Sequence, residues 1–227
     1  MTDAIVSTDT PVFLVGGGTV DKQAFLSGLA LCQTLVAADG GADTVLEFDH
    51  MPDAVIGDMD SLSLAARRMI PDHRIHQIAE QDSTDFEKCL ATIDAPLILG
   101  VGFLGARADH MLAAMNALTC QTAKRCVLIG AEDVIFAAPP ELALDLPDGC
   151  RVSLFPMTQV TGRSAGLHWP IDGITFSPCG RVGTSNRATG PVQLTFDMPG
   201  MAIILPRARL EQALQGLAQA PGWPPVP

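Results

Sequence analysis

Five short apolar runs, at residues 12–15, 35–38, 54–56, 97–101 and 126–130, limit what the first 138 residues can fold into. Most are continuously apolar rather than alternating, the pattern of strands covered on both faces. Helical stretches separate them, at residues 21–33, 61–69, 84–93 and 109–124. This β-α-β-α rhythm predicts an α/β class with a mostly parallel N-terminal sheet flanked by helices. Near Pro139-Pro140 the texture changes. The remainder is rich in Gly, Pro, Ser and Thr, with β-like pieces at 151–155, 166–169, 192–196 and 201–205. Turn signals at Pro178-Cys179-Gly180 and Pro199-Gly200 fall between them. A small C-terminal antiparallel β-sandwich is expected, closed by a helix over 207–218 and a loose tail over 221–227. The predicted domains are residues 1–140 and 141–227.

Charge follows the same division. Residues 1–150 carry 22 acids against eight Lys/Arg, whereas residues 151–227 carry three against six. An acidic first part argues against nucleic acid as a partner, because binding a phosphate backbone needs a basic surface. A single nucleotide is still allowed, since a metal can carry its phosphates. No apolar run approaches the roughly 18 residues of a membrane helix. The first ten residues lack the basic start and apolar stretch of a secretory signal, which predicts a cytoplasmic protein with no membrane partner. The six cysteines form no C-x-x-C pair and are expected as reduced, packed thiols.

Residues 39–60 hold seven acids and no Lys or Arg: Asp39, Asp43, Glu47, Asp49, Asp53, Asp58 and Asp60. Glu47 and Asp49 suit a solvated stretch before the Met51-Pro52-Asp53 turn. Asp39, Asp58 and Asp60 do not, because each follows a predicted parallel strand at its C-terminal end. That edge is where open α/β sheets bind ligands. Asp58 and Asp60 are two apart and point the same way in an extended segment. Adjacent carboxylates repel unless a proton or cation intervenes. Magnesium takes one or two carboxylates plus phosphates and fits this pattern.

Two further segments extend the site. In Gln81-Asp82-Ser83-Thr84-Asp85-Phe86-Glu87-Lys88, Thr84 and Glu87 have capping-box spacing, so a helix starts at Thr84. Asp85 then either stabilises the helix N-terminus or completes a metal site, and Lys88 either neutralises phosphate or is an exposed helix residue. In Gly100-Val101-Gly102-Phe103-Leu104-Gly105-Ala106-Arg107-Ala108-Asp109-His110, a glycine-rich turn links strand to helix. Arg107 suits bidentate phosphate contact, and Asp109 either caps the helix or serves the site. Gly16-Gly17-Gly18 is neither a dinucleotide fingerprint nor a Walker loop.

Taken in order, Ala38-Asp39-Gly40-Gly41-Ala42, Pro52-Asp53-Ala54-Val55-Ile56-Gly57-Asp58-Met59-Asp60-Ser61, Asp82-Ser83-Thr84-Asp85-Phe86-Glu87-Lys88 and Gly105-Ala106-Arg107-Ala108-Asp109-His110 resemble the motif series of the thiamine pyrophosphokinase family. Gly166-Leu167-His168-Trp169 and Gly183-Thr184-Ser185-Asn186 resemble its smaller β domain. The resemblance implies transfer of pyrophosphate from ATP to the thiamine hydroxyl, giving thiamine diphosphate and AMP. It implies Mg2+ on Asp39, Asp58, Asp60 and Asp85. It puts Gln81, Thr84 and Arg107 around the phosphates or substrate; with Lys88 and Asp109 these are the expected ATP-binding residues, and Asp60, Asp85 and Arg107 are the expected catalytic set. It places thiamine on Trp169, Ser185 and Asn186, in a homodimer whose active site lies at the interface. Ala106 departs from the family's usual second glycine. Two other readings compete: a pyrophosphokinase for a different small alcohol, and a nucleotide or thiamine sensor without turnover.

Overall fold

The computed structural model describes residues 4–105 and 107–224, so the Ala106 departure lies outside the described residues. The chain divides into two compact units, Met1–Ala117 with Cys126–Ala131, and Leu118–Arg125 with Glu132–Pro227.

The first unit is a mixed arrangement of helices and strands built on the apolar runs. Its strands are β1 (Val6–Ser7), β2 (Val12–Val15), β3 (Thr34–Ala38), β4 (Ala54–Gly57), β5 (Ile75–Gln77), β6 (Ile93–Asp94), β7 (Ile98–Val101) and β8 (Cys126–Ile129). Six of these form a ladder in the order β8-β7-β2-β3-β4-β5, every neighbour parallel. Strands β2, β4, β7 and β8 are buried at every position, which is why their sequences do not alternate. β1 and β6 pair separately.

The helices are α1 (Lys22–Leu31), α2 (Gly41–Glu47), α3 (Leu64–Met69), α4 (Asp85–Thr92) and α5 (Ala108–Cys120). Asp21 caps α1 through Ala24 N–H. Gly28 lets that helix settle on β2, since a Cβ there would sit 2.2 Å from the Phe13 ring. The capping box of Thr84 and Glu87 is formed on α4. Two boundaries differ from the sequence reading. The helix expected from residue 61 begins at Leu64 because Ser61 spends its N–H on Asp39 and Ser63 is the cap. The polar stretch around Glu47 is the end of α2, a seven-residue helix without a side-chain cap.

The second unit contains β9 (Asp133–Ala137), β10 (Glu141–Leu144), β11 (Arg151–Pro156), β12 (Val160–Leu167), β13 (Thr175–Phe176), β14 (Gly183–Phe196), β15 (Met201–Pro206) and α6 (Leu210–Gln219). All of its strand pairs are antiparallel. The 14-residue β14 meets β11 at residues 183–187 and β10 at residues 192–195, while β12 pairs with it at Ala188 and again at residues 193–196. Its Gly190-Pro191 interruption made most of this strand read as loop. Residues 192–196 alternate buried and exposed, as a half-solvated antiparallel strand should. Among the described residues, no helix is long and apolar enough to cross a membrane.

Candidate active site

Asp39 and Asp58 follow the neighbouring strands β3 and β4, and Asp39 N–H continues the ladder by donating to Ile56 O. Asp39 turns out of the strand at φ 41 and Met59 at φ 69, both in the left-handed region. The loop after β4 thus folds back over the strand ends. Asp58 Oδ1 bridges Met59 by accepting Asp60 N–H at 3.1 Å, and Ser61 N–H donates to Asp39 Oδ2 at 3.0 Å. One oxygen each from Asp39, Asp58 and Asp60 then lies within 4.8 Å of the others. Burial is graded across the three: Asp39 is buried, Asp58 half-buried and Asp60 exposed.

The electrostatics differ from one carboxylate to the next. Burial pushes Asp39 up to about 6, against the Ser61 N–H bond, and the nearby acids add to the rise. The Asp60 N–H and Gln81 amide bonds, with Lys88, hold Asp58 below its ordinary value. Burial raises Asp85, while Lys88 opposes the rise. Asp39 Oδ1 is buried and has no donor among the described residues. A buried carboxylate oxygen without a partner is costly, and a hard divalent cation would satisfy it. The residues present therefore fit Mg2+, with Asp39, Asp58 and Asp60 in position to hold it.

Asp85 stands beside this trio rather than within it. Its Oδ1 accepts Asp58 N–H at 3.3 Å and faces Lys88 Nζ at 3.4 Å. Lys88 is buried, so the exposed-helix reading of that residue is wrong. It sits 3.7 Å from Asp58 Oδ2. Gln81 Nε2 donates to Asp58 Oδ2 at 2.8 Å, while the Thr84 hydroxyl caps α4. Arg107 and Asp109 form a separate exposed pair at 2.6 Å, with Asp109 pulled down to about 2 by the guanidinium. Asp109 lies in the first turn of α5.

Sequence reasoning missed several supporting groups. Gln77 Nε2 donates to Asp58 O at 2.9 Å, and Asp43 binds both the N–H and the hydroxyl of Ser63. Gly57 leaves room for two acids: a Cβ there would meet Asp39 Cβ at 2.7 Å and Asp85 Oδ1 at 2.9 Å. Asp43 is one of the seven acids of residues 39–60 and the sequence assigns it to neither the site nor the solvated stretch; nothing in the local pattern singles out Gln77.

In the second unit, the buried Asn186 binds Trp169 on both sides of its peptide. Its Oδ1 accepts Trp169 N–H at 3.1 Å, and its Nδ2 donates to Trp169 O at 2.7 Å. Trp169 is 52% exposed, so it is not a core tryptophan. The Arg187 guanidinium lies 5.2 Å from its ring centroid. Ser185 takes φ 62 and donates its N–H to Ser153 Oγ.

A parallel sheet whose C-terminal edge carries converging carboxylates defines an α/β protein with its candidate site at the strand ends, where open α/β sheets bind ligands. The family model described as thiamin pyrophosphokinase, catalytic domain, matches residues 27–129, a span containing all four aspartates and Arg107. Over that span the chain is similar to the thiamin pyrophosphokinase family. It is 27% identical over 190 residues to thiamine pyrophosphokinase 3 of Oryza sativa subsp. japonica, covering 68% of this chain and 70% of that one. Thiamine pyrophosphokinase 1 of Arabidopsis thaliana is 25% identical over 189 residues, covering 66% and 69%. The fold is that of the Candida albicans thiamin pyrophosphokinase, with TM-score 0.76, 18% identity and coverage of 87% and 89%.

Proposed function

We propose that this protein transfers a pyrophosphoryl group from ATP to the hydroxyl of thiamine, giving thiamine diphosphate and AMP. The observation that carries this reading is the convergence of Asp39, Asp58 and Asp60 around a buried oxygen with no donor among the described residues, in a chain similar to this family over residues 27–129. Mg2+ on these residues, with Asp85 as a fourth acid beside them, would neutralise phosphate charge as the leaving oxygen departs.

The thiamine oxygen attacks the β-phosphorus, the bond from that phosphorus to the α-phosphate oxygen breaks, and AMP leaves. Asp60 and Asp85 are the carboxylates assigned to take the hydroxyl proton. Burial raises Asp85 above the ordinary aspartate value, which favours its taking up a proton. Gln81, Thr84, Lys88, Arg107 and Asp109 are the groups assigned to ATP. Gln81 and Lys88 support that edge through Asp58. Arg107 is exposed with its Nε and Nη2 on Asp109, and a guanidinium fork that holds a carboxylate in this way suits phosphate equally. Trp169, Ser185 and Asn186 are assigned to thiamine, whose cationic ring the exposed indole can stack against. The split pairing of β14 supports a β-sandwich for residues 141–227, with residues 1–140 as the nucleotide domain. A cytoplasmic homodimer with its active site at the interface completes the reading, and light scattering tests the dimer.

The test is AMP release from ATP with and without thiamine and Mg2+. Equal yields of AMP and thiamine diphosphate, needing all three components, are expected. Tight thiamine binding without turnover would make the protein a sensor. AMP formed only with another alcohol would make it a pyrophosphokinase for that acceptor.

A further inference from the structure

We infer that Asp43 is a positioning residue for the carboxylate cluster: it ties the loop of residues 58–63 to α2 and so fixes Asp58 and Asp60 relative to Asp39. The inference rests on reading those three aspartates as a cation site.

The loop does not hold its own shape. Met59 adopts φ 69, a conformation that a non-glycine side chain disfavours and that persists only where the surroundings impose it. Within the loop, the bonds available are Asp60 N–H to Asp58 Oδ1 and the Ser61 hydroxyl to Asp60 Oδ1. Both are made by the acids that would bind the cation, and both compete with it. A third tie, Ser61 N–H to Asp39 Oδ2, again uses a proposed ligand.

Asp43 lies outside that set. It projects from α2, the helix that begins two residues after Asp39. Its Oδ2 accepts Ser63 N–H at 3.1 Å, and its Oδ1 accepts the Ser63 hydroxyl. Ser63 Oγ in turn accepts Ala66 N–H and caps α3. One carboxylate therefore joins the helix behind Asp39 to the far end of the loop bearing Asp58 and Asp60. Tight packing reinforces the tie, because a Cβ on Gly40 would lie 3.2 Å from Ser61 Cβ and O. When a cation draws on Asp39, Asp58 and Asp60, the Asp43–Ser63 bonds are unaffected and keep the spacing.

The experiment is Mn2+ binding to the full-length protein without nucleotide, read from the free-ion electron paramagnetic resonance signal. Asp43→Ala is expected to weaken binding about tenfold, the low end for residues that orient metal ligands. Asp43→Asn removes the same charge but keeps an acceptor for Ser63 N–H and a polar partner for its hydroxyl. It is expected to stay closer to wild type than to Asp43→Ala. Wild-type affinity in Asp43→Ala overturns the inference alone. Equal weakening in both variants also overturns it, because charge rather than the tie would then be responsible. No Mn2+ binding by the wild type overturns the cation site as well. If Asp43→Ala does not fold, Ser63→Ala deletes the hydroxyl bond with every acid in place, and unchanged affinity there overturns the inference.

Discussion

Lys88 Nζ lies 3.4 Å from Asp85 Oδ1, one turn away on α4, with 2% of the lysine side chain exposed. The same ammonium is 3.7 Å from Asp58 Oδ2, so one buried cation faces two acids from different elements. Removing one partner of a buried pair costs roughly 3–5 kcal/mol, because the other charge is left uncompensated. Asp85 keeps 32% of its side chain exposed, so solvent takes up part of that loss. Lys88→Met is expected to lower unfolding free energy by about 2 kcal/mol in urea titrations. A change below about 0.5 kcal/mol, the range of ordinary surface substitutions, would show that the ammonium is not coupled to the acids.

Asp39 gives a pH dependence with a definite sign. Its folded value of about 6 lies above the roughly 3.9 of an unfolded aspartate. The folded state therefore binds the proton more tightly. The stability this contributes is complete below about pH 4 and lost as pH rises through about 6. Asp39→Asn stays neutral throughout and can still accept Ser61 N–H. Between about pH 4 and pH 7, metal-free wild type is expected to lose on the order of 2 kcal/mol relative to Asp39→Asn. Denaturant titrations of both proteins at the two pH values check this. Excess Mg2+ should narrow the gap at the higher pH, because the cation replaces the proton. Parallel pH profiles would show that Asp39 titrates normally.

The aspartates were legible in the sequence because the strands before them were. Ala38 and Gly57 close buried parallel strands, so a polar residue next in line had to emerge at the ligand edge. The capping box at Thr84 was equally visible, since its two members sit at a fixed spacing. What could not be read was the tertiary choice among acids of similar context. Asp43 and Asp39 are four residues apart, yet one meets Ser63 and the other Ser61 because the 58–63 loop folds back over both. For Lys88 the sequence leaves a phosphate-neutralising and an exposed helix reading open, and the contact with Asp58, which follows β4, removes the exposed one. In the second unit, Gly190-Pro191 interrupts a strand that continues through it, because β12 pairs with β14 on both sides, at Ala188 and at Gln193. Local turn chemistry predicted a break where strand pairing prevailed.

Asn186 joins the two ends of the candidate thiamine surface. It takes both the N–H and the carbonyl of Trp169 and also accepts Arg187 N–H at 2.8 Å. Asn186→Ala would strand these backbone groups, at a cost of about 1–3 kcal/mol for buried polar atoms left unpaired. The Trp169 segment would loosen while the aspartate cluster stayed as it is. The expected result is a raised KM for thiamine with kcat and the KM for ATP nearly unchanged, measured by AMP release. A fall in kcat alone would place Asn186 elsewhere in the reaction.

Gly57 is the tightest steric constraint on the acidic cluster. Its backbone is not left-handed, so alanine suits the local conformation and the whole penalty is space. The added methyl would press on Asp39 Cβ at 2.7 Å, Asp39 Cα at 3.3 Å and Asp85 Oδ1 at 2.9 Å. Neither acid can yield freely, since Asp39 is buried and Asp85 is held by Asp58 N–H and Lys88. Overpacking of this kind costs about 1–3 kcal/mol. A displacement near 1 Å at a reacting centre costs up to about 100-fold in rate. Gly57→Ala is therefore expected to lose at least about tenfold in kcat/KM for ATP while still folding. Gly17→Ala is the matched control, because a Cβ there meets nothing closer than 3.8 Å. That variant should remain within about 0.5 kcal/mol of wild type. If the two alanine variants are equally active, the separation of Asp39 and Asp85 is not set by the space at Gly57.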